Sequence, residues 1–404
     1  MNILMTTADH LMIDRRILQE AKTLIAEGHS VTLLAGFECV KRESYVLDGV
    51  KIERFCYDWM DSRFTRLAGK LGFQPGTKRY QIAWRIFRAW AYRISEVNCF
   101  EQYIVDRMME YQSDVIHVHD YPMLAAGIVV SRMKDVPLIY DAHELYYAQM
   151  QLPVKIQRKY KKIESRLIKK VDAAITVNPY IADLMASRYA VKVPHVIMNA
   201  APVRALSKDD LLRTRFNLPQ TTRIVIYQGW ISDNRGIDRV VEAARYFSSE
   251  IALVIVGYGD YESHLKKLVL DYDISDRVFF YGGVPSDSLH PLTCGADLGV
   301  IPYHGVDENN FFCSPNKLFE FAVAQVPFIC NDLPFLRDVV QKYNNGMIAD
   351  LNDPQAMAFA INHLFSDHER LSRMREGAGN ASEELNWTVE GEKLLNIYKS
   401  LRIN

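Results

Sequence analysis

Residues 309–334 read NNFFCSPNKLFEFAVAQVPFICNDLP, and the fold can be read outward from them. Ser314 is a helix-capping residue type, and Pro315 suits a first helical position. Leu318, Phe321 and Ala322 recur at helical spacing and make an apolar stripe. Residues 327–330 are a short apolar run of the kind buried inside parallel sheets. Asn316, Lys317 and Glu320 fall near the helix start, where free backbone N–H groups and the positive dipole end favour an anion. Lys317 suits a phosphate and Glu320 suits sugar hydroxyls, a pairing that fits a nucleotide. The same residues also describe a capped surface helix with ordinary charges, so the weight must come from what surrounds them.

What surrounds them is an alternating series. Strands are expected at 224–228, 253–256, 278–281, 298–301 and 328–330, with helices between, which predicts a parallel sheet. Ligands bind beyond the carboxyl ends of such strands. The first of these ends is Gly229-Trp230-Ile231-Ser232-Asp233-Asn234-Arg235-Gly236, with Arg235 suited to a diphosphate. The second holds Gly257, Tyr258 and Gly259, whose glycines permit close approach. The third holds Gly283 and Val284, suited to stacking near a base. The fourth runs through Tyr303 to Glu308 and Asn310. Each is weak alone, and their joint position at successive strand ends carries the inference. Helices are expected at 353–365, 367–384 and 388–404.

The first half alternates in the same way, with strands at 2–5, 31–35, 51–55, 115–119, 138–141, 173–177 and 196–198 and a helix at 14–27. The first loop has no Gly-x-Gly-x-x-Gly, which disfavours an ordinary dinucleotide-binding oxidoreductase. Asp9, His10 and Asp14 there offer polar groups to a substrate. His143 follows the 138–141 strand between Asp141 and Glu144, where a carboxylate could fix its tautomer for a sugar hydroxyl. His117 and His119 share a strand face, with Asp120 next. Sheet packing explains His117 equally well, and no third ligand has metal spacing, so no metal is expected. Residues 201–222, with Pro202 and Pro219, read as an interdomain connection.

The 404-residue length fits two to three domains. Apolar content of 49% and charged content of 24% are ordinary for a globular chain, and a net charge of -1 gives no reason to expect nucleic acid. The six cysteines are scattered without metal spacing, which fits a reducing, cytoplasmic setting. The opening residues lack a signal peptide's pattern, and no apolar run reaches transmembrane length. Residues 63–93 and 155–170 are rich in Lys and Arg interleaved with apolar and aromatic residues. Each reads as a basic amphipathic helix for an anionic membrane surface, or as a solvated face, or as a single-strand nucleic-acid binder.

Taken together, these motifs resemble the retaining, nucleotide-sugar-dependent glycosyltransferases of family 4, the group 1 type, with the GT-B fold. The resemblance runs over nearly the whole chain. It is carried by Asp14-Arg15-Arg16, Glu27-Gly28-His29-Ser30-Val31, residues 114–119, Tyr140-Asp141-Ala142-His143-Glu144, Asn199, the Gly229–Gly236 loop, residues 256–259 and residues 314–320. It implies an α/β chain of two Rossmann-like domains facing across a cleft. The acceptor domain would be 1–203, the nucleotide-sugar domain 204–386, and 387–404 a last helix crossing back to the first domain.

The resemblance further implies a nucleotide diphosphate sugar as donor, with no other cofactor. Glu320 would bind the ribose, Arg235 and Lys317 the diphosphate, and His143 the transferred sugar. Gly229, Trp230, Gly257, Tyr258, Gly283, Val284, Tyr303, Ser314, Asn316, Glu308 and Asn310 would complete the donor site. Asp9, His10, Asp14, His119, Asp120 and Glu144 would face the acceptor. That acceptor is expected to be a glycan or lipid-linked glycan of cell-envelope polysaccharide synthesis, met from the cytoplasm at the inner face of the membrane. Two positions depart from the family pattern. Phe312 stands where a glutamate is usual, leaving Glu308 or Asn310 to replace its sugar contact. Trp230 stands where Arg or Lys is common. Alternatives on the same architecture are a sugar-nucleotide epimerase or phosphorylase, or a catalytically silent sugar-nucleotide-binding protein.

Overall fold

A computed structural model describes the chain except residues 10–11, 57–61, 92–96, 150–151, 208 and 402–404. His10, expected among the acceptor residues, therefore lies outside the described residues, as does Arg93 of the first basic segment. The chain divides into two compact units. One comprises Met1–Tyr147, Gln151–Ile197 and Lys393–Asn404, and the other Ala148–Met150 and Met198–Glu392.

The first unit is built on eight strands: β1 (Asn2–Thr7), β2 (Ser30–Ala35), β3 (Glu43–Leu47), β4 (Val50–Arg54), β5 (Val115–His119), β6 (Leu138–Ala142), β7 (Ala173–Thr176) and β8 (His195–Val196). Their order is β3-β4-β2-β1-β5-β6-β7-β8. All pairs are parallel except β3 with β4. β5 and β6 are buried at every position, because helices cover both faces of a parallel sheet. The edge strand β3 escaped the sequence reading. It has no buried face, so its hydrophobic pattern carries no period.

The second unit holds β9 (Arg223–Gln228), β10 (Ile251–Val256), β11 (Val278–Gly282), β12 (Leu298–Ile301), β13 (Phe328–Cys330) and β14 (Gly346–Ile348), in the order β11-β10-β9-β12-β13-β14. Every pair is parallel. This is the doubly wound order, with the chain reversing direction across the sheet between β9 and β12. In the first unit the matching reversal lies between β1 and β5. The loops beyond these two switch points are where such sheets hold ligands.

Two further expectations change. Residues 63–93 are not one helix but two, Ser62–Lys70 and Lys78–Ala91, because Gly72 and Gly76 both take positive φ and turn the chain. Residues 201–222 are not a bare connection. They carry the Leu211–Phe216 helix, and Arg213 ties it down by donating to Thr222 O and to Asp297 Oδ2, both at 2.6 Å. No helix among the described residues is long and apolar enough to cross a membrane.

Candidate functional site

In the second unit the Asn316–Val323 helix starts one residue later than the sequence suggested. Pro315 is its N-cap and makes no side-chain cap bond. Ser314 is thereby held outside the helix, since a residue before proline is driven to extended backbone. Its Oγ is buried without a hydrogen-bond partner among the described residues. Lys317, in the first turn, is only 3% exposed, and its Nζ also lacks such a partner. The ammonium lies 4.0 Å from the centre of the Tyr227 ring and 4.8 Å from that of Tyr303. The Arg235 guanidinium sits 4.5 Å from the Tyr303 ring. The aromatic faces partly replace water around both cations. Burial first, and then Arg235, push Lys317 down to about 7. Among the described residues Lys317 makes no ion pair, although Glu320 acts on its charge from nearby.

Glu320, a turn further on, accepts from Gln228 Nε2 at 2.6 Å, and Gln228 Oε1 accepts from Thr293 at 2.9 Å. This chain fixes the carboxylate at the end of β9. Asn199 Nδ2 donates to Ser314 O at 3.2 Å and holds the loop that precedes the helix. Asn316 is exposed at the helix start. Asn310 donates its side-chain amide to Asp307, which also caps the short Glu308–Phe311 helix.

The glycine-rich loops pack on each other. A Cβ on Gly257 would lie 1.9 Å from Gly229 O, and one on Gly259 would lie 1.9 Å from Ile231 O. Gly229 N–H donates to Val256 O and Ile231 N–H to Tyr258 O, at 2.9 and 3.0 Å. These glycines therefore let the strand-end loops pack on each other, which shapes the rim. Trp230 and Tyr258 stand on that rim half-exposed, edge to face at 5.1 Å. Gly283 meets the Tyr258 ring and is exposed beside Val284, which is half-buried.

In the first unit, polar residues converge on His143. Its backbone N–H donates to Asp120 Oδ1 at 3.0 Å. Nδ1 lies 3.7 Å from Asp120 Oδ2 and 3.8 Å from Asp14 Oδ2. Nε2 lies 3.3 Å from Asp141 Oδ2 and 3.2 Å from His119 Nδ1. Burial would lower its pKa, but Asp120 and then Asp141 outweigh it and lift His143 to about 10. His119, fully buried, falls to about 4. Burial lifts Asp120 itself to about 7, so Asp141 is the carboxylate that holds His143 toward its imidazolium form across neutral pH. Asp120 takes a positive φ of 61 at the start of its helix, and its side chain accepts from the His143 N–H rather than capping that helix. Asp14 is first of all a helix cap, accepting from the Arg16 N–H at 2.8 Å, and its own N–H donates to Asp9 Oδ2 at 2.9 Å. Glu144 is half-buried next to His143 in sequence.

Beneath lies a cluster that sequence spacing did not reveal. Arg16 donates Nε and Nη2 to the two oxygens of Asp141, at 3.0 and 2.8 Å, and its Nε lies 3.0 Å from Glu20. Arg16, of the Asp14-Arg15-Arg16 motif, and Glu20, which nothing in the sequence singled out, are both buried. The ligand atoms of Glu20, His117, His119 and Asp141 all lie within 4.8 Å of one another. Folding thus supplies the further metal-type ligands that spacing along the strand did not. The Arg16 fork already engages both Asp141 oxygens, so this charge is matched by a guanidinium. His117 Nδ1 is bonded to Tyr398 Oη at 2.9 Å, which makes His117 a core partner of the last helix.

The description "Glycosyl transferases group 1" matches residues 208–381, and "Glycosyltransferase Family 4" matches residues 13–203. The D-inositol 3-phosphate glycosyltransferase of Xylanimonas cellulosilytica is 25% identical over 311 residues, covering 70% of this chain and 71% of that protein. The phosphatidyl-myo-inositol mannosyltransferase of Mycolicibacterium smegmatis is 21% identical over 396 residues, covering 96% and 90%. Among solved structures, HepE of Anabaena in complex with UDP and glucose aligns with a TM-score of 0.69 at 16% identity, over 99% of this chain and 100% of that one.

Proposed function

Because the chain belongs to the group 1, family 4 glycosyltransferases of GT-B fold, and so is a glycosyltransferase, we propose that it moves a sugar from a nucleotide diphosphate sugar to an acceptor hydroxyl with retained anomeric configuration and without a metal ion. The observation that carries the donor assignment is Lys317: a buried ammonium without a hydrogen-bond partner among the described residues, at a helix start beyond a topological switch point. When the anomeric carbon–oxygen bond breaks, its electron pair stays on the diphosphate. Lys317, Arg235 and the helix-start N–H groups stabilise that charge, with Ser314, Asn316, Tyr303 and Gly229 around them. Glu320, oriented by Gln228, takes the ribose, and Gly257, Tyr258, Gly283, Val284 and Trp230 form the side toward the base. Glu308 or Asn310 replaces the sugar contact that Phe312 cannot make.

In the first unit, His143 as an imidazolium donates to a sugar hydroxyl. Asp9, Asp14, His119, Asp120 and Glu144 serve the acceptor. A glycan or lipid-linked glycan of the cell envelope is the acceptor class this reading favours. A relative named for a phosphatidyl-myo-inositol substrate supports it, as do the two basic segments. The reading sets the enzyme in the cytoplasm, in peripheral contact with an anionic membrane face.

A thermal-shift screen against UDP-, GDP-, ADP- and CDP-sugars tests the donor, since a ligand of the native state raises the Tm. One or more should do so, and transfer to a lipid-extract acceptor should survive EDTA. Lys317→Ala and Arg235→Ala should each lower kcat/KM on the order of 10²-fold. If no sugar nucleotide shifts the Tm and none is consumed, the proposal fails.

A further inference from the structure

The Ser62–Lys70 and Lys78–Ala91 helices carry a feature that sugar transfer alone does not use. Phe64, Leu67 and Ala68 follow helical spacing on the first, with Leu71 just past its end, and Ala83, Ile86, Phe87 and Trp90 follow it on the second. The two stripes, with Phe73 between them, line one groove of about 310 Å³ formed by apolar side chains. Phe64 and Ala68 are buried at its floor, while Leu71, Ile86 and Trp90 stand open at its rim, 60%, 66% and 73% exposed. An open apolar groove of this kind marks a binding surface. The remaining positions of residues 62–91 include seven Lys and Arg and no Asp or Glu, in a chain of net charge -1.

The second basic segment differs. Along the Val154–Leu167 helix only Val154 is a large exposed apolar side chain. Its single acid, Glu164, is buried and accepts from Tyr140 and Tyr189, both at 2.7 Å. That helix presents charge and little else. The hairpin presents charge around a slot for hydrocarbon.

We infer that the 62–91 hairpin seats a hydrocarbon chain of an anionic bilayer lipid, with its cations on the headgroup phosphates and Trp90 at the interface. Charge complementarity selects this occupant: a 62–91 sequence with seven Lys and Arg and no Asp or Glu fits phosphate headgroups, and a groove with apolar walls fits the chain beneath them. A methylene and a water are of like size, and a water's share of the liquid is about 30 Å³, so the groove has room for roughly ten methylenes. The Val154–Leu167 helix adds salt-sensitive attraction on the same anionic surface. This deepens the membrane-acceptor reading and rests on it for the identity of the acceptor alone.

The test uses the full chain with vesicles of phosphatidylcholine, with and without phosphatidylglycerol. Wild type should co-sediment only with the anionic vesicles, and part of that binding should persist in high salt. Ile86→Glu with Trp90→Glu, both at open rim positions, should lower partitioning roughly tenfold or more and remove the salt-resistant part. Turnover on a short water-soluble acceptor should be unchanged and serves as the folding control. Phosphatidylglycerol brominated on its acyl chains should quench tryptophan fluorescence, and Trp90→Phe should reduce the quenching. Binding that salt abolishes completely, or that the double variant retains, overturns the inference. So does a double variant that turns a solution dimer into a monomer while vesicle binding stays. Vesicle binding without any sugar transfer would sink the enzymatic proposal and leave this one standing.

Discussion

Lys317 is the side chain whose chemistry is most sensitive to conditions. Held at about 7 by burial and Arg235, it is half-charged near neutrality. A lysine depressed in this way makes the fold less stable at low pH. The cost is full below about 7 and is relieved as pH rises toward the unfolded value of about 10.5. A bound diphosphate reverses the preference and draws a proton on. Donor binding should therefore take up protons at pH 8 but not at pH 6, and affinity should weaken as pH climbs above 7. Calorimetry in buffers of different ionisation enthalpy measures this, and Lys317→Met should abolish it. Zero uptake, or release, at pH 8 would count against the assignment. Lys317 was legible in the sequence because it lies two residues after a Ser-Pro helix signal. Gln228 and Thr293 were not, since their part depends on Glu320 lying across the strand ends from them, a distance that no local pattern encodes. The contacts of Arg16 with Asp141 and Glu20 were hidden for the same reason: a helix charge shows its partner only once the sheet closes over it.

At the scale of elements, the parallel strands were readable because burial on both faces leaves uninterrupted apolar runs, as in β10 with all six positions buried. The strands that went unread were the exposed edge β3 and the three-residue β14, which are too polar or too short to leave a period. The strand-end loops were legible, but the packing of one loop on the other was not. Gly257 and Gly259 are needed because backbone meets backbone there. Gly259→Ala should therefore force the loops at 229–231 and 257–259 apart. Overpacking of this kind costs about 1–3 kcal/mol. A Tm lowered by several degrees, with donor affinity falling more than stability, is the expected result. An unchanged Tm would mean that the loops yield freely.

At the scale of the whole molecule, the first unit is discontinuous in sequence, taking its last piece from residues 393–404. Tyr398, 2% exposed, fills that piece's place in the core and hydrogen-bonds His117. Tyr398→Phe keeps the ring and strands His117 Nδ1, at a cost of about 1–3 kcal/mol. At roughly 2–4 °C per kcal/mol for a unit of this size, calorimetry should record a fall of several degrees. Donor-induced shifts should be preserved. The closing helix was anticipated from its apolar spacing, but its tie to His117 was not, because the two residues are 281 apart. That separation governs how the chain is made. At about 5–20 residues per second, a ribosome needs roughly 10–40 s to pass from Ile197 to Lys393. Throughout that interval the nascent β5 histidine lacks the phenol that will cap it. The unit synthesised first is thus the last to be completed, and a holding chaperone has its longest opportunity there.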